Sequence, residues 1–186
     1  TNGLINEYCN EADAIYEGRQ VKVMPLEGAE KIVIDGESFE AFNTSGGCAT
    51  MCETYQNKVQ NLSYKTIRYP GHLNHMKFLF NDLHLKKNKD VLEKLFDKEV
   101  PRTKNDVIIF FVKVIGLVDG VLQEKTYLRK IYGDDKFSAI QLTTASGACS
   151  VLKMFLDKKI TAEGFVRQES ISWSDFVENK FGQVYA

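Results

Sequence analysis

KTIRYPGH, Lys65 to His72, packs a strand end, a forced break, a glycine and the ionisable side chains of Lys65, Arg68 and His72 into eight residues. Upstream, LSYKTIRY alternates Leu62, Tyr64, Thr66 and Arg68 against Ser63, Lys65, Ile67 and Tyr69, which is the period of a strand. Pro70 has no N–H to give to a ladder, so the strand is predicted to stop at Tyr69. Downstream, Leu73, Met76, Phe80 and Leu83 recur at helical spacing. Pro70 and Gly71 then sit near a helix start, where free N–H groups and the positive end of the dipole can receive an anion. Two readings stand side by side: an anion hole flanked by Arg68 and His72, or a satisfied strand-to-helix turn with Arg68 in an ordinary salt bridge.

The rest of the chain bounds what such a joint can serve. With 186 residues and 44% hydrophobic content there is enough apolar material for a sizeable core. Three prolines and no Ser- or Gly-rich linker place no boundary inside the chain, which is read as one domain. The 24 basic and 25 acidic residues nearly cancel and are interspersed; the densest basic run, KKNK at 86–89, reads as a solvated loop. Neither nucleic acid nor an anionic membrane surface is indicated. No stretch approaches the ~20 apolar residues of a membrane helix. VIIFFVKVIGLV, 107–118, is the most apolar run, but Lys113 interrupts it and β-branched residues dominate, so it reads as a central strand. Cys9, Cys48, Cys52 and Cys149 match neither a zinc knuckle nor a CxxC pair, and free thiols in a reducing cytosol are expected. The sequence opens at Thr1 without a methionine, so the lack of a visible signal or transit segment carries no weight.

Residues 3–9 read as a helix, 12–16 and 20–24 as strands joined at Glu17 and Gly18, and 31–35 and 38–44 as two more strands. A helix is predicted over 48–55 and another from Asp90 to Lys98 with Val91, Leu92, Leu95 and Phe96 as its stripe. Asn105–Leu117 and Val121–Tyr132 form a hairpin around Asp119 and Gly120. The longest helix runs from Ser138 to Leu156, with Ala145, Ala148, Cys149, Leu152, Phe155 and Leu156 as its packed side. A short helix over Ser174–Phe181, capped by Ser172 or Ser174, closes the chain. Together these predict an α+β fold: one mixed, largely antiparallel sheet covered by helices on one face.

Most chemistry-bearing motifs are missing. There is no GxGxxG, P-loop, HExxH or GxSxG. His72 and His75 lie three apart on one helix, yet no convincing third ligand is near, and no metal site is expected. Cys48 and Cys149 sit in helical patterns typical of small core residues. The Gly46–Gly47 pair is a weak phosphate-nest candidate. What remains is Asn43, Thr44, Ser45 and Gly46 after one strand and Arg68, Tyr69 and His72 after another. Hydroxyls, an amide, backbone N–H groups and a guanidinium hold amino-acid carboxylates without reacting with them, Arg68 through a bidentate fork.

AFNTSGGCATMCETY followed by KVQNLSYKTIRYPGHLNHMKFLF resembles the C-terminal, non-nucleotide domain of the saccharopine dehydrogenase family, which includes glutamate-forming saccharopine dehydrogenases and carboxynorspermidine dehydrogenase. The family pairs an AFNTxG loop with a downstream KTxRYPGH joint, and this chain carries both in that order. TNGLINEY (1–8) and GFVRQESISWSDFVENKFG (164–182) resemble the family's opening and closing segments, so the likeness spans nearly the whole chain. It implies that residues 1–186 are a single substrate-binding and dimerisation domain of a larger cytoplasmic NAD(P)-dependent oxidoreductase acting on CH–NH groups, whose N-terminal Rossmann domain is absent from this sequence. The implied reaction is oxidative cleavage of a secondary amine: saccharopine gives 2-aminoadipate semialdehyde and glutamate, with hydride passing to NAD or NADP. Alternatives are carboxynorspermidine as substrate, or a non-catalytic dimeric ligand-binding module. The resemblance assigns substrate roles to Asn2, Thr44, Ser45, Arg68, Tyr69 and His72. Arg68 is the carboxylate clamp, and His72 is either a proton shuttle to the leaving amine or a neutral brace. No cofactor is expected on this chain alone. The implied partners are an amino-acid or polyamine-derived small molecule and a second copy, through the 107–132 hairpin.

Overall fold

Residues 2–160 and 163–186 are described in the computed structural model, and the chain divides into two units, Thr1–Pro101 and Arg102–Ala186. In the first, helix α1 (Asn2–Glu7) leads to strands β1 (Ala12–Tyr16) and β2 (Arg19–Val23), which pair antiparallel from Ala12↔Val23 to Tyr16↔Arg19. Strands β3 (Glu30–Ile34), β4 (Glu37–Asn43) and β5 (Lys65–Arg68) form a second antiparallel sheet, with helix α2 (Met51–Tyr55) between β4 and β5. In that sheet Phe42 is opposite Thr66 and Glu40 is opposite Arg68. Partners across an antiparallel pair share a face. This face meets the core of α1 and of α3 (His72–Lys77), where Ile5, Tyr8, Phe42, Leu73 and Phe80 are packed together. Helix α4 (Lys89–Glu99) adds Leu92, fully buried, and Phe96 to the same cluster.

Leu83 is half exposed, although its spacing from Phe80 predicts a place on the buried stripe. The reason is a π-helical turn over Phe78–Asp82, in which Leu83 N–H reaches back five residues to Phe78 O at 2.9 Å. The wider turn rotates Leu83 off the stripe.

The second unit carries β6 (Val107–Val118) and β7 (Val121–Tyr132), a twelve-pair hairpin closed by Asp119–Gly120. Helix α5 (Ala139–Leu156) follows, then α6 (Trp173–Glu178) and a closing 3₁₀ turn, Gly182–Tyr185. The start of α5 is fully provisioned. Ser138 Oγ accepts from Gln141 N while Gln141 Oε1 accepts from Ser138 N, and the Asp106 carboxylate takes Ala139 N at 2.6 Å and Ile140 N at 3.2 Å. All four orphan donors of the helix start are thereby satisfied, with a charge of the sign the dipole favours.

The face α5 buries is the opposite of the predicted one. Ala139, Thr143, Ser146, Ser150 and Met154 are buried, whereas Leu152, Phe155 and Leu156 are more than half exposed. Small polar residues win because they admit the C-terminal segment to close range: Tyr185 Oη donates to Thr143 O at 2.6 Å, Ser150 Oγ to Phe176 O at 3.0 Å, and Asn179 Nδ2 to Ser150 Oγ at 2.6 Å. Among the described residues α5 is the one helix that, by length and mean hydropathy (18 residues, 1.2), is able to cross a membrane. The Ser150 hydroxyl meets this segment, while Thr143 Oγ1 donates within the helix to Ala139 O at 2.8 Å.

The α+β class holds, but the sheet is not single. Among the described residues all strand pairings are antiparallel and they fall into three sheets: β1–β2, β3–β4–β5 and β6–β7. β6 is half of a two-stranded ribbon and not a central strand. Tight turns join most paired neighbours, so each ribbon closes at small entropic cost, and period-two patterning carries no information about sideways pairing beyond it. An isolated bridge ties β1 to the segment that leads into β5: Ile15 and Leu62 exchange N–H···O bonds at 2.8 and 3.0 Å.

Candidate functional site

The joint after β5 is built as its sequence indicates, up to the identity of the anion. Pro70 breaks the ladder, and Gly71 caps α3 at φ 94°, a left-handed backbone that favours glycine. The free amides at this helix start point to a carboxylate, and the structure supplies one from its own chain. Glu40 Oε2 accepts from Gly71 N at 3.0 Å, and Oε1 accepts from Leu73 N. The predicted anion hole is therefore filled by Glu40, reaching from the β4 position opposite Arg68.

Arg68 uses its head differently from either sequence reading. Its Nε–H donates to the Tyr8 hydroxyl at 3.2 Å and Nη1 donates to Ile67 O at 3.2 Å. Tyr8 Oη also lies 3.0 Å from His72 Nε2. His72 stacks on Phe42 (centroids 6.2 Å apart, planes at 16°) and takes the Tyr69 ring edge-on at 5.0 Å. Tyr69 itself is 56% exposed. Arg68, Tyr69 and His72 thus meet around Tyr8, which is 1% exposed.

The electrostatics follow from this packing. Burial, and then repulsion from the Arg68 guanidinium, holds the His72 imidazole down at about 4, against the opposing pull of the Glu40 carboxylate. His72 is neutral at neutral pH, and its Nδ1 is buried without a partner among the described residues. Burial raises the Tyr8 phenol, with Arg68 working against it. Burial likewise raises the Glu7 carboxyl above its usual range, and the Arg68 charge opposes this too.

The other predicted residues have different duties. Thr44, fully buried, spends its hydroxyl on Thr66 Oγ1 at 2.8 Å, which ties the AFNT loop to β5. Ser45 donates its amide to Glu7 O at 3.1 Å, tying the same loop to α1. Asn2 Oδ1, on the exposed start of α1, accepts from Asn6 Nδ2 at 2.7 Å. Gly47 is where it is because Tyr64 lies on it: a Cβ there would fall 1.9 Å from the Tyr64 ring. That steric need accounts for the second glycine of the pair without a phosphate. Cys48 is buried and its thiol is pushed up to about 12, chiefly by burial and then by Cys52, which leaves a poor nucleophile. His75 is exposed.

Sequence reasoning missed two residues of the site, Tyr8 and Glu40. Glu40 is legible once register is known, as the residue across from Arg68. Tyr8 reads from sequence only as a residue near the end of a helix over 3–9.

The family described as the saccharopine dehydrogenase C-terminal domain matches residues 1–182 of the chain.

One pH effect follows from His72. The unfolded chain takes a proton on this imidazole near 6.5, while the folded chain refuses it until about 4. Between those values the unfolded state binds the extra proton, so this group lowers stability as pH falls through the window, levelling off below it. Urea midpoints measured from pH 7.5 to 4 should drop more steeply for the wild type than for His72→Gln. Parallel curves would show that His72 titrates normally.

Proposed function

Because the chain belongs to the saccharopine dehydrogenase C-terminal domain family, we propose that it holds the amino-acid end of a secondary-amine substrate for an NAD(P)-dependent oxidoreductase acting on the C–N bond, saccharopine being the first candidate. The observation that carries this is Arg68. Nε and one Nη1 hydrogen are engaged within the protein, which leaves donors of the remaining guanidinium for a carboxylate. The helix start beside it is neutralised by Glu40, so it does not compete for that carboxylate. Tyr69 offers an exposed aromatic wall next to His72. His72 acts as the neutral brace between Phe42 and Tyr69.

A nicotinamide dinucleotide does not fit the residues of this chain. No two of its glycines are separated by a single residue, as GxGxxG requires, and the amides that open α3 are taken by Glu40. The cofactor would be held by residues outside residues 1–186, and the part played by this chain is binding and orientation of the substrate.

A second candidate, carboxynorspermidine, is favoured by one detail. Its polyamine arm calls for acidic and aromatic neighbours, and Glu7 and Tyr69 lie beside Arg68 and His72. Steady-state assays of a full-length protein containing this chain, with NAD or NADP and each amine in turn, separate the two. In that protein Arg68→Ala should weaken substrate affinity by about 1.5–3 kcal/mol, the value of a charge-assisted contact, seen as a raised KM. An unchanged KM would remove Arg68 from the site.

We also propose that two copies associate through the β6–β7 hairpin. Leu117 (73%) and Leu122 (70%) pair across its exposed end with Ile115 on the same face, and Val114 and Val121 are open to solvent on the opposite face. Monomeric proteins seldom leave apolar surface of this kind uncovered. Light scattering or sedimentation at high concentration should give the mass of a dimer, and Leu117→Lys with Leu122→Lys should return it to monomer. A wild-type monomer at high concentration contradicts the association.

A further inference from the structure

Tyr8 belongs to the hydrophobic core and still brings a hydroxyl to Arg68 and His72. A buried phenol needs an acceptor for its proton as well as partners for its oxygen. Arg68 has no acceptor atom, so its contact with Tyr8 is a donation from Nε–H. The hydroxyl proton is then left for His72 Nε2, which makes His72 the neutral tautomer with its hydrogen on Nδ1. The reverse assignment, with Nε2–H donating to the phenol, leaves both the hydroxyl proton and the buried Nδ1 lone pair unpartnered, whereas this one leaves only the Nδ1–H so.

A guanidinium offers a carboxylate two bidentate edges, Nε with one Nη, or the two Nη groups together. Tyr8 occupies Nε, and Ile67 O takes one hydrogen of Nη1. What is left for a ligand is the end-on edge. We propose that Tyr8 is the positioning residue of the site, holding Arg68 so that a substrate carboxylate meets only its two-Nη edge and fixing the His72 tautomer at the same time. The proposal rests on Arg68 being the carboxylate clamp. Tyr8 is itself held by core packing, with its ring edge-on to Phe80 at 5.8 Å and 82°. Its hydroxyl is therefore delivered before any ligand arrives, and the orientation of Arg68 is built in advance.

Tyr8→Phe keeps the ring and removes one oxygen atom. Nitrogen-15 NMR of the 186-residue chain reads the consequence without substrate. The wild type should show His72 with its hydrogen on Nδ1 and a resolved, slowly exchanging Arg68 Nε–H signal. In Tyr8→Phe the imidazole should populate both tautomers and the Nε–H signal should broaden through fast exchange. In a full-length protein the same substitution should raise KM about threefold to tenfold, the range of one net hydrogen bond, with kcat changed by less than about twofold. Unchanged tautomer and Nε–H signals in Tyr8→Phe would overturn the proposal, even if the melting temperature falls. A wild-type His72 protonated on Nε2 would overturn it as well. If the NMR changes appear while Arg68→Ala and Tyr8→Phe both leave KM unchanged, the hold of Tyr8 on the pair stands and the carboxylate role of Arg68 is what fails.

Discussion

The Glu40 carboxylate on the amides of Gly71 and Leu73 is the contact on which the first unit's site depends. A strand that stops at a proline and turns at once into a helix exposes donors that are costly to leave unpaired and attractive to any anion. Glu40 meets that demand from within the chain, from the strand position across from Arg68. Two consequences follow. The angle between β5 and α3 is fixed by a charge-assisted pair of bonds, and the positive end of the helix is no longer available to a ligand. The second unit solves the same problem in the same way, with Asp106 reaching the first amides of α5.

With the helix start closed, the nearby cationic donors are those of Arg68. They lie against an apolar core made of Tyr8, Phe42 and Phe80, where a hydrogen bond to a charged group is worth more than it is in water. His72 adds bulk and a polar edge to this wall but no charge, because burial and the guanidinium both oppose its protonation. A rigid wall with one oriented cation suits recognition of a carboxylate better than proton transfer.

Much of this is legible in the sequence, and the limits have physical causes. Strands 12–16 and 121–132 are legible to the residue, and so is the Asp119–Gly120 turn, because period-two patterns and turn residues are local signals. The strand-to-helix joint is legible for the same reason. Its occupant is not, since Glu40 meets Gly71 only through the pairing of β4 with β5. The buried face of α5 escapes a sequence reading because apolarity points to Leu152 and Phe155, whereas the packing is decided by hydrogen bonds with a segment far along the chain, from Tyr185 Oη to Thr143 O and from Ser150 Oγ to Phe176 O. Leu83 leaves the stripe at a π turn that makes no mark in hydrophobic spacing. Tyr8 is hidden by the opposite ambiguity: its ring makes it a core residue and its hydroxyl makes it part of the site.

The placement of the carboxylate is tested most directly by titrating L-glutamate into the ¹⁵N-labelled 186-residue chain and following side-chain and backbone signals together. With Glu40 seated on the helix start, the Arg68 guanidinium signals and the amide of Tyr69 should move with added glutamate while those of Gly71 and Leu73 stay in place. Movement of the Gly71 and Leu73 amides with the Arg68 signals unchanged would put the ligand on the helix start and contradict Arg68 as the carboxylate clamp.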